Sequence, residues 1–264
     1  RTPRSHRARR TPRPWTQLSR EFIGQFAHDG LKEFSNSTRA TYRSWAFLMS
    51  DALLTGPNRR VKAKPIGRGA ASVPLTPKEM ALAKAWARGQ KTENRRVNAT
   101  MLLALCGGAG LTSIEMSQVT ADDVFVDDGG VDIEVRGDRA RRVTVLAEWE
   151  APIAAVAQAA MRKDQWLFVP RRRKAYTKNF VHSFVADTND LPFPINSHRL
   201  RATWLVTHMA AGTPVKLLAQ AAGLDSLDGL RRFVQYVPDI DAVEARRRLR
   251  SESPKHTYAE GEPL

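Results

Sequence analysis

The 264-residue sequence has one cysteine, a shortage of acidic residues and no long apolar run, and each shortage excludes a class of protein. The cysteine, Cys106, lies in the apolar run 101–106, so the chain holds no internal disulfide, and a small buried thiol is favoured over a nucleophile or ligand. No apolar stretch approaches the roughly 20 residues that span a bilayer, and the N-terminus lacks the apolar core of a signal peptide. We therefore expect a soluble, intracellular protein.

The shortage of acidic residues leaves a large positive charge. There are 42 lysine and arginine residues against 27 aspartate and glutamate residues, which gives a net charge of +15 and a pI near 10.6. Such an excess favours a polyanionic partner, because every phosphate that a cation neutralises releases a counterion. Nucleic acid is the commonest such partner. Charge alone, however, predicts no preference for a particular nucleotide sequence.

Composition divides the chain into five segments. Residues 1–14, rich in arginine and proline, are typical of a disordered basic arm. Two apolar stripes at helical spacing predict a small helical domain over residues 15–55. Prolines, glycines and cations in residues 56–75 indicate a basic linker. Residues 76–250 then form a second domain, and residues 251–264 a disordered tail.

The second domain is predicted to be mainly helical. Thr76 and Glu79 form a capping box with proline at the first helical position, so a helix begins there. Alternating apolar residues predict two strands of an antiparallel hairpin. The first helix is predicted to run from this capping box to about residue 90. Further helices are predicted over 94–106, 148–162, 177–186 and several segments of 198–237. The predicted strands are 131–135 and 142–146, after a short segment at 124–126. We therefore expect an α+β fold, mainly α with a small antiparallel β-sheet.

A pair of phosphate-binding residue types stands at the start of one predicted helix. His198 and Arg201 are three residues apart, so they project from one face about one turn apart. A guanidinium matches phosphate oxygens in a bidentate way, and an imidazole can donate to the same phosphate. The alternative is structural: His198 caps the helix and Arg201 is a solvated charge.

The residues around this pair resemble the tyrosine recombinase (phage integrase) family. His198-Arg-Leu-Arg201 is similar to the family's His-x-Leu-Arg, and an apolar helix and a Gly223-Leu-Asp-Ser segment follow as in that family. Thr38-Arg-Ala-Thr-Tyr-Arg43 is similar to the start of a DNA-facing helix in the family's core-binding domain. The resemblance implies a two-lobed fold, with a helical core-binding domain before a catalytic-type domain. It covers roughly residues 15–250.

Several positions depart from the family's catalytic pattern. Thr112 stands where the family has its first arginine, and Arg136 stands for the hairpin lysine, which is a better proton donor. Leu224 replaces the histidine of Gly-His-Ser. Phe233 occupies the position of the nucleophilic tyrosine and has no hydroxyl. Tyr236, three residues later, is the alternative nucleophile, although helical spacing points it to a different side.

We therefore expect a sequence-specific double-stranded DNA-binding protein that has lost strand cleavage, a transcriptional repressor or regulator of the phage immunity type, associated with the nucleoid. Two alternatives stay open: an active recombinase that uses Tyr236, and an accessory factor that associates with an integrase. No metal or cofactor is expected. Self-association on DNA is compatible with each of these readings. The residues expected at DNA are Arg9, Arg10, Arg39, Arg43, Arg59, Arg60, Lys62, Lys64, Arg136, Arg139, Arg141, His198, Arg199 and Arg201.

Overall fold

The computed structural model describes residues 19–53, 72–172, 180–188 and 190–250. The chain divides between residues 70 and 71 into two units, each with its own internal contacts. The predicted arm, most of the predicted linker and the predicted tail lie outside the described residues. Among the described residues, no helix is both long and apolar enough to cross a membrane.

The first unit contains two helices. Helix α1 spans Arg20–Gln25 and continues into a π-helical turn at Phe26–Gly30, and helix α2 spans Asn36–Leu53. Arg20 joins the two helices through two hydrogen bonds to the carboxylate of Asp51, at 3.1 and 2.5 Å. The predicted helical character of this segment is therefore confirmed for the part that is described.

The second unit is a helical domain with one small sheet. Its helices are α3 (Pro77–Arg88), α4 (Glu93–Leu103), α5 (Ser113–Gln118), α6 (Ala147–Gln158), α7 (Phe180–Ala186), α8 (Ser197–Ala211), α9 (Val215–Ala221), α10 (Asp228–Arg231) and α11 (Ala242–Leu249). The strands β1 (Val124–Asp127), β2 (Gly130–Val135) and β3 (Arg141–Thr144) form an antiparallel sheet in the order β1-β2-β3. In its register, Ile133 lies opposite both Val124 and Val143. The predicted fold class, mainly α with a small antiparallel sheet, is confirmed.

Local signals predicted the elements of the second unit better than their ends. The capping box of Thr76 and Glu79 is present in both directions, at 3.2 and 2.8 Å, which confirms that prediction. Several ends differ from the prediction, among them that of α6, which ends at Gln158 and not at residue 162. Helix α4 changes into a π-helical turn over Ala104–Gly108, and β3 ends at Thr144 because the Leu146 N–H donates to the carbonyl of Gly108. The chain thereby leaves the sheet and enters α6.

The core of the second unit surrounds the π-helical turn 104–108. This turn packs against α8, whose Leu200 and Trp204 are fully buried. Gly110 follows the turn with φ of +63°, a conformation that side chains disfavour, and a Cβ there would overlap the indole ring of Trp204. Cys106 is buried in this core as predicted, and burial raises the pKa of its thiol.

We predict that Gly110→Ala destabilises the second unit by roughly 3 kcal/mol or more, because it adds backbone strain and a clash with Trp204. Gly137→Ala is the matched control: its φ is +95° and nothing lies within 4 Å of a new Cβ, so we expect a loss of about 1 kcal/mol. Urea unfolding of both variants measures the difference. Equal losses would show that Trp204 does not restrict this position.

Candidate nucleic-acid interface

Arg201 lies in the first half of α8 and is largely enclosed by backbone. Asn196 begins this helix by accepting the Arg199 N–H at 2.9 Å. One turn further along, the two terminal nitrogens of Arg201 donate to the carbonyls of Gly110 and Ala222. Burial lowers the pKa of Arg201, although a guanidinium keeps its charge at neutral pH. Arg201 therefore ties α8 to the segment before α5 and to the end of α9.

Arg141, on β3, lies in the same cluster of charges. Its Nη1 is 2.6 Å from Oε1 of Glu115, and its Nε donates to the carbonyl of Ala221 at 2.6 Å. The other oxygen of Glu115, Oε2, is 3.9 Å from Nη1 of Arg201. One carboxylate therefore lies between two guanidiniums, and all three side chains are only 9–12% exposed.

Thr112 and Glu115 complete this cluster at the start of α5. The Thr112 hydroxyl accepts the Glu115 N–H at 3.3 Å, and the Glu115 carboxylate accepts the Thr112 N–H at 2.8 Å. Burial alone raises the pKa of Glu115, but the hydrogen bonds from Arg141 and Thr112 outweigh burial, and the pKa is lowered. Thr112, which the sequence predicts at the family's arginine position, thus acts here as a helix cap.

His198 and Arg201 differ in exposure although one turn of helix separates them. His198 is exposed and lines a cavity of about 360 Å³ between α7 and the start of α8, together with His182 and Ser113. The nitrogens of Arg201, in contrast, are already donated to carbonyls. A joint contact of His198 and Arg201 with one phosphate stays a prediction, and it requires the guanidinium to leave at least one of these carbonyls.

Two other arginines expected at DNA have structural partners. Arg199 donates to the carbonyls of Val73 and Pro194, at 3.0 and 2.7 Å, and to the carboxylate of Glu79 at 2.9 Å. It therefore holds the segment before α3 against the start of α8. In the first unit, Arg39 donates to the carbonyls of residues 27 and 28 and closes the π-helical turn. The DNA contacts predicted for both arginines stay predictions.

The turn between β2 and β3 presents cations at the surface. Arg136 is 60% exposed, with its Nη2 2.5 Å from Oδ1 of the buried Asp123. Arg139 is 54% exposed, with its Nη2 3.5 Å from Oδ2 of Asp225. The guanidinium of Arg142 lies over the ring of Phe125, 4.2 Å from its centre. The hairpin therefore offers charged groups that a phosphate backbone can reach without rearrangement of the core.

The residues that the sequence predicts at the positions of the family's nucleophile and second histidine are both apolar. Phe233 is 4% exposed and belongs to the hydrophobic core, and Leu224 packs against the same core. Tyr236 lies in a 3₁₀ turn and lines a groove beside Thr203 and Thr207 of α8.

The groove and the buried arginine occupy different sides of α8. Thr203 follows Arg201 by two residues, so their side chains point to opposite faces of the helix. Tyr236 is therefore separated from Arg201 by the body of α8.

Helix α11 also carries exposed cations, which are not among the residues that the sequence predicts at DNA. Helix α11 carries three consecutive arginines, 246–248, of which Arg247 and Arg248 bind Glu244 at 2.7 and 2.6 Å. Hydrogen bonds from these two arginines lower the pKa of Glu244 to about 2. The run of arginines at the end of an amphipathic helix is the signal that could have identified this surface.

The remaining predicted contacts, Arg9, Arg10, Arg59, Arg60, Lys62 and Lys64, lie outside the described residues. Arg43 is described, with its guanidinium 5.8 Å from the centre of the Phe47 ring. Within the described residues, no group of three or more histidine, cysteine, aspartate or glutamate side chains is placed to hold a metal ion.

The fold is that of the tyrosine recombinases. The XerH site-specific recombinase bound to palindromic difH substrate, in a post-cleavage complex, superposes with a TM-score of 0.59 at 17% identity over 86% of this chain and 68% of that one. The XerH pre-cleavage complex gives 0.58 at 16% identity, over 89% and 70% of the chains. The Tn1549 transposon integrase in complex with transposon right end DNA gives 0.54 at 14% identity, over 91% and 87%.

No protein-family model matches the sequence, and no curated protein matches it either. The structural likeness nevertheless confirms the fold that the resemblance implied.

We predict that Glu115→Gln lowers the free energy of unfolding by about 3 kcal/mol at neutral pH, because two buried guanidiniums lose their counter-charge. The folded-state pKa of Glu115 is lowered, so its contribution is present above the unfolded-state pKa near ~4.3 and is lost as pH falls through the folded value. The difference between the variant and the unmutated protein therefore shrinks in acid. Chemical denaturation at several pH values measures it.

Glu148→Gln is the control, because Glu148 forms an exposed ion pair with Lys84 and its loss costs less than about 1 kcal/mol. A loss for Glu115→Gln that equals the control, or that does not change with pH, would contradict the assigned role of the cluster.

Proposed function

We propose that this protein is a sequence-specific double-stranded DNA-binding protein that uses a recombinase fold to occupy its sites without cutting them, and that it acts as a transcriptional repressor or regulator. One observation carries the proposal. Phe233, at the position of the family's nucleophilic tyrosine, has no hydroxyl and is buried in the core.

Binding to DNA is supported by charge and by the proteins that share the fold. The chain has a net charge of +15, and the exposed guanidiniums of Arg136 and Arg139 lie together on one hairpin. The recombinase and the integrase with the same fold are bound to difH substrate and to transposon end DNA. Phosphate contacts from such a surface provide affinity, and groove contacts provide sequence preference.

The absence of cleavage is supported by the arrangement around Arg201. A phosphoryl transfer that forms a protein–DNA ester needs a hydroxyl in line with the phosphate and cations that stabilise the developing charge. Tyr236 is on the far side of α8, and the nitrogens of Arg201 bind carbonyls. Arg136, which the sequence predicts at the position of the proton-donating lysine, pairs with Asp123, and a guanidinium is a poor proton donor.

A protein that binds DNA without cutting it can regulate transcription by occupying its site. A protein that holds a promoter site excludes other proteins from that DNA, and its effect depends on affinity and not on turnover. The predicted activity is therefore repression of the phage immunity type, with no cofactor and with a strong dependence on salt concentration.

We predict that the protein forms no covalent adduct with DNA. Its sites are first identified by genome-wide mapping of bound DNA, and duplexes carrying those sites, with a nick that prevents religation, are then incubated with the protein and resolved under denaturing conditions. Phe233→Tyr is expected to remain inactive, since its hydroxyl would be buried in the core and Thr112 remains a helix cap. An adduct that disappears in Tyr236→Phe would instead establish an active recombinase.

We also predict that the hairpin contributes to affinity. Arg136→Ala combined with Arg139→Ala should weaken binding and reduce the slope of log K against log salt by about 2, because each arginine accounts for about one phosphate. Arg162→Ala is the control, because Arg162 is likewise an exposed arginine paired with a carboxylate but lies outside the hairpin. Fluorescence anisotropy at several salt concentrations measures both slopes. An unchanged slope in the double variant would exclude the hairpin from the interface.

A further inference from the structure

Helix α2 of the first unit has a face that is largely apolar and exposed. Thr38, Tyr42, Trp45, Met49 and Ala52 follow one another at intervals of four, three, four and three residues. This spacing places them in one stripe along the helix, in the pattern by which one helix packs on another. Of these, Trp45 is 58% exposed and Met49 57% exposed.

The other face of α2 already has its partner within the unit. Arg39 on that face donates to the carbonyls of residues 27 and 28, and Asp51 binds Arg20 of α1. Arg20 also lies over the ring of Phe47, 4.9 Å from its centre. The face that packs inside the unit is therefore rich in polar contacts, whereas the stripe of Trp45 is apolar.

The exposed face is large enough to form an interface. Phe34 packs edge-on against Tyr42, which contacts Trp45, with ring centres 5.8 Å apart in each case. With Leu48 and Met49, five large side chains are each between 39% and 68% exposed. At ~200 Å² for each side chain, they expose on the order of 500 Å², which is at the upper end for an uncovered patch of a monomer.

We propose that a second copy of this chain covers this face, with the two α2 helices antiparallel and related by a two-fold axis near Trp45. Two pairs of residues match in size about Trp45: Tyr42 and Leu48 lie three residues to either side, and Thr38 and Ala52 lie seven. A two-fold axis therefore pairs Tyr42 with Leu48 and Thr38 with Ala52, and it places Met49 against the smaller Thr41. Two such faces bury about 1,000 Å² in total, which is the lower bound for a specific interface.

Charge restricts where a second copy can bind. Two chains of net charge +15 repel each other over most of their surfaces. The charged residues of α2, Arg39, Arg43 and Asp51, are all outside the stripe. The stripe therefore allows two copies to approach without placing like charges in the contact, and it offers no charge by which an acidic or basic partner would be selected.

The segments before and after the described part of the first unit do not have the sequence of a helix that could cover this face. Residues 54–71 contain two prolines, three glycines and five lysine or arginine residues, and residues 1–18 contain three prolines and six arginines. Neither sequence supplies an apolar stripe at helical spacing. A cover from these segments is nevertheless a possible outcome of the test below.

Sedimentation velocity of the full chain without DNA tests the proposal. We expect the protein, with a mass of 29.5 kDa, to form dimers at concentrations on the order of 10 µM. Trp45→Glu should be monomeric, because the two-fold axis brings two carboxylates together, and Trp45→Lys should be monomeric for the same reason. An equimolar mixture of the two variants should again form dimers, because opposite charges then meet at the axis.

Met161→Glu, at an apolar residue that is 93% exposed in the second unit, is the control and should dimerise like the unmutated protein. Circular dichroism verifies that the variants are folded. A monomeric unmutated protein at 100 µM, as expected if segments 1–18 or 54–71 cover the face, would overturn the proposal. So would a mixture of the Glu and Lys variants that stays monomeric. Because no DNA is present, either result leaves the proposed DNA binding untouched.

Discussion

The second unit depends on one buried group of charges: Glu115 between Arg141 and Arg201. These residues come from α5, β3 and α8, and other donors of the two arginines reach the carbonyls of Gly110, Ala221 and Ala222. Hydrogen bonds from Arg141 and Thr112 stabilise the Glu115 carboxylate as an anion despite its burial. The sheet, the segment before α5 and the end of α9 are thereby held to α8. Removal of Glu115 leaves two buried guanidiniums without a counter-charge.

The cluster supports the proposal of a recombinase fold without strand cleavage. The guanidinium of Arg141 is paired with Glu115, and the terminal nitrogens of Arg201 donate to carbonyls. We therefore expect phosphate contacts from more exposed cations, such as those of the hairpin turn. Such a surface provides affinity and register on DNA, whereas strand cleavage also requires a nucleophile.

The sequence predicted local structure well, but it did not predict the buried partners of the arginines. The capping box at Thr76 and the hairpin strands each depend on neighbours within a few residues, and the structure shows both. The role of Arg201 depends on the carbonyl of Gly110, 91 residues away in sequence. Likewise Arg199 binds the carbonyl of Val73, 126 residues away. Residue spacing in the sequence cannot distinguish a guanidinium that is available to a phosphate from one that donates to a buried carbonyl.

Symmetry connects the first unit to the proposed function of the second. A dimer formed through Trp45 would have an isologous interface and would carry two copies of the second unit. A DNA target bound by both copies would then consist of two half-sites. Binding of the second half-site becomes intramolecular once the first is occupied, which raises the apparent affinity without any new contact. A protein that acts only by occupancy gains directly from this arrangement, because its effect increases with the time that it remains on DNA.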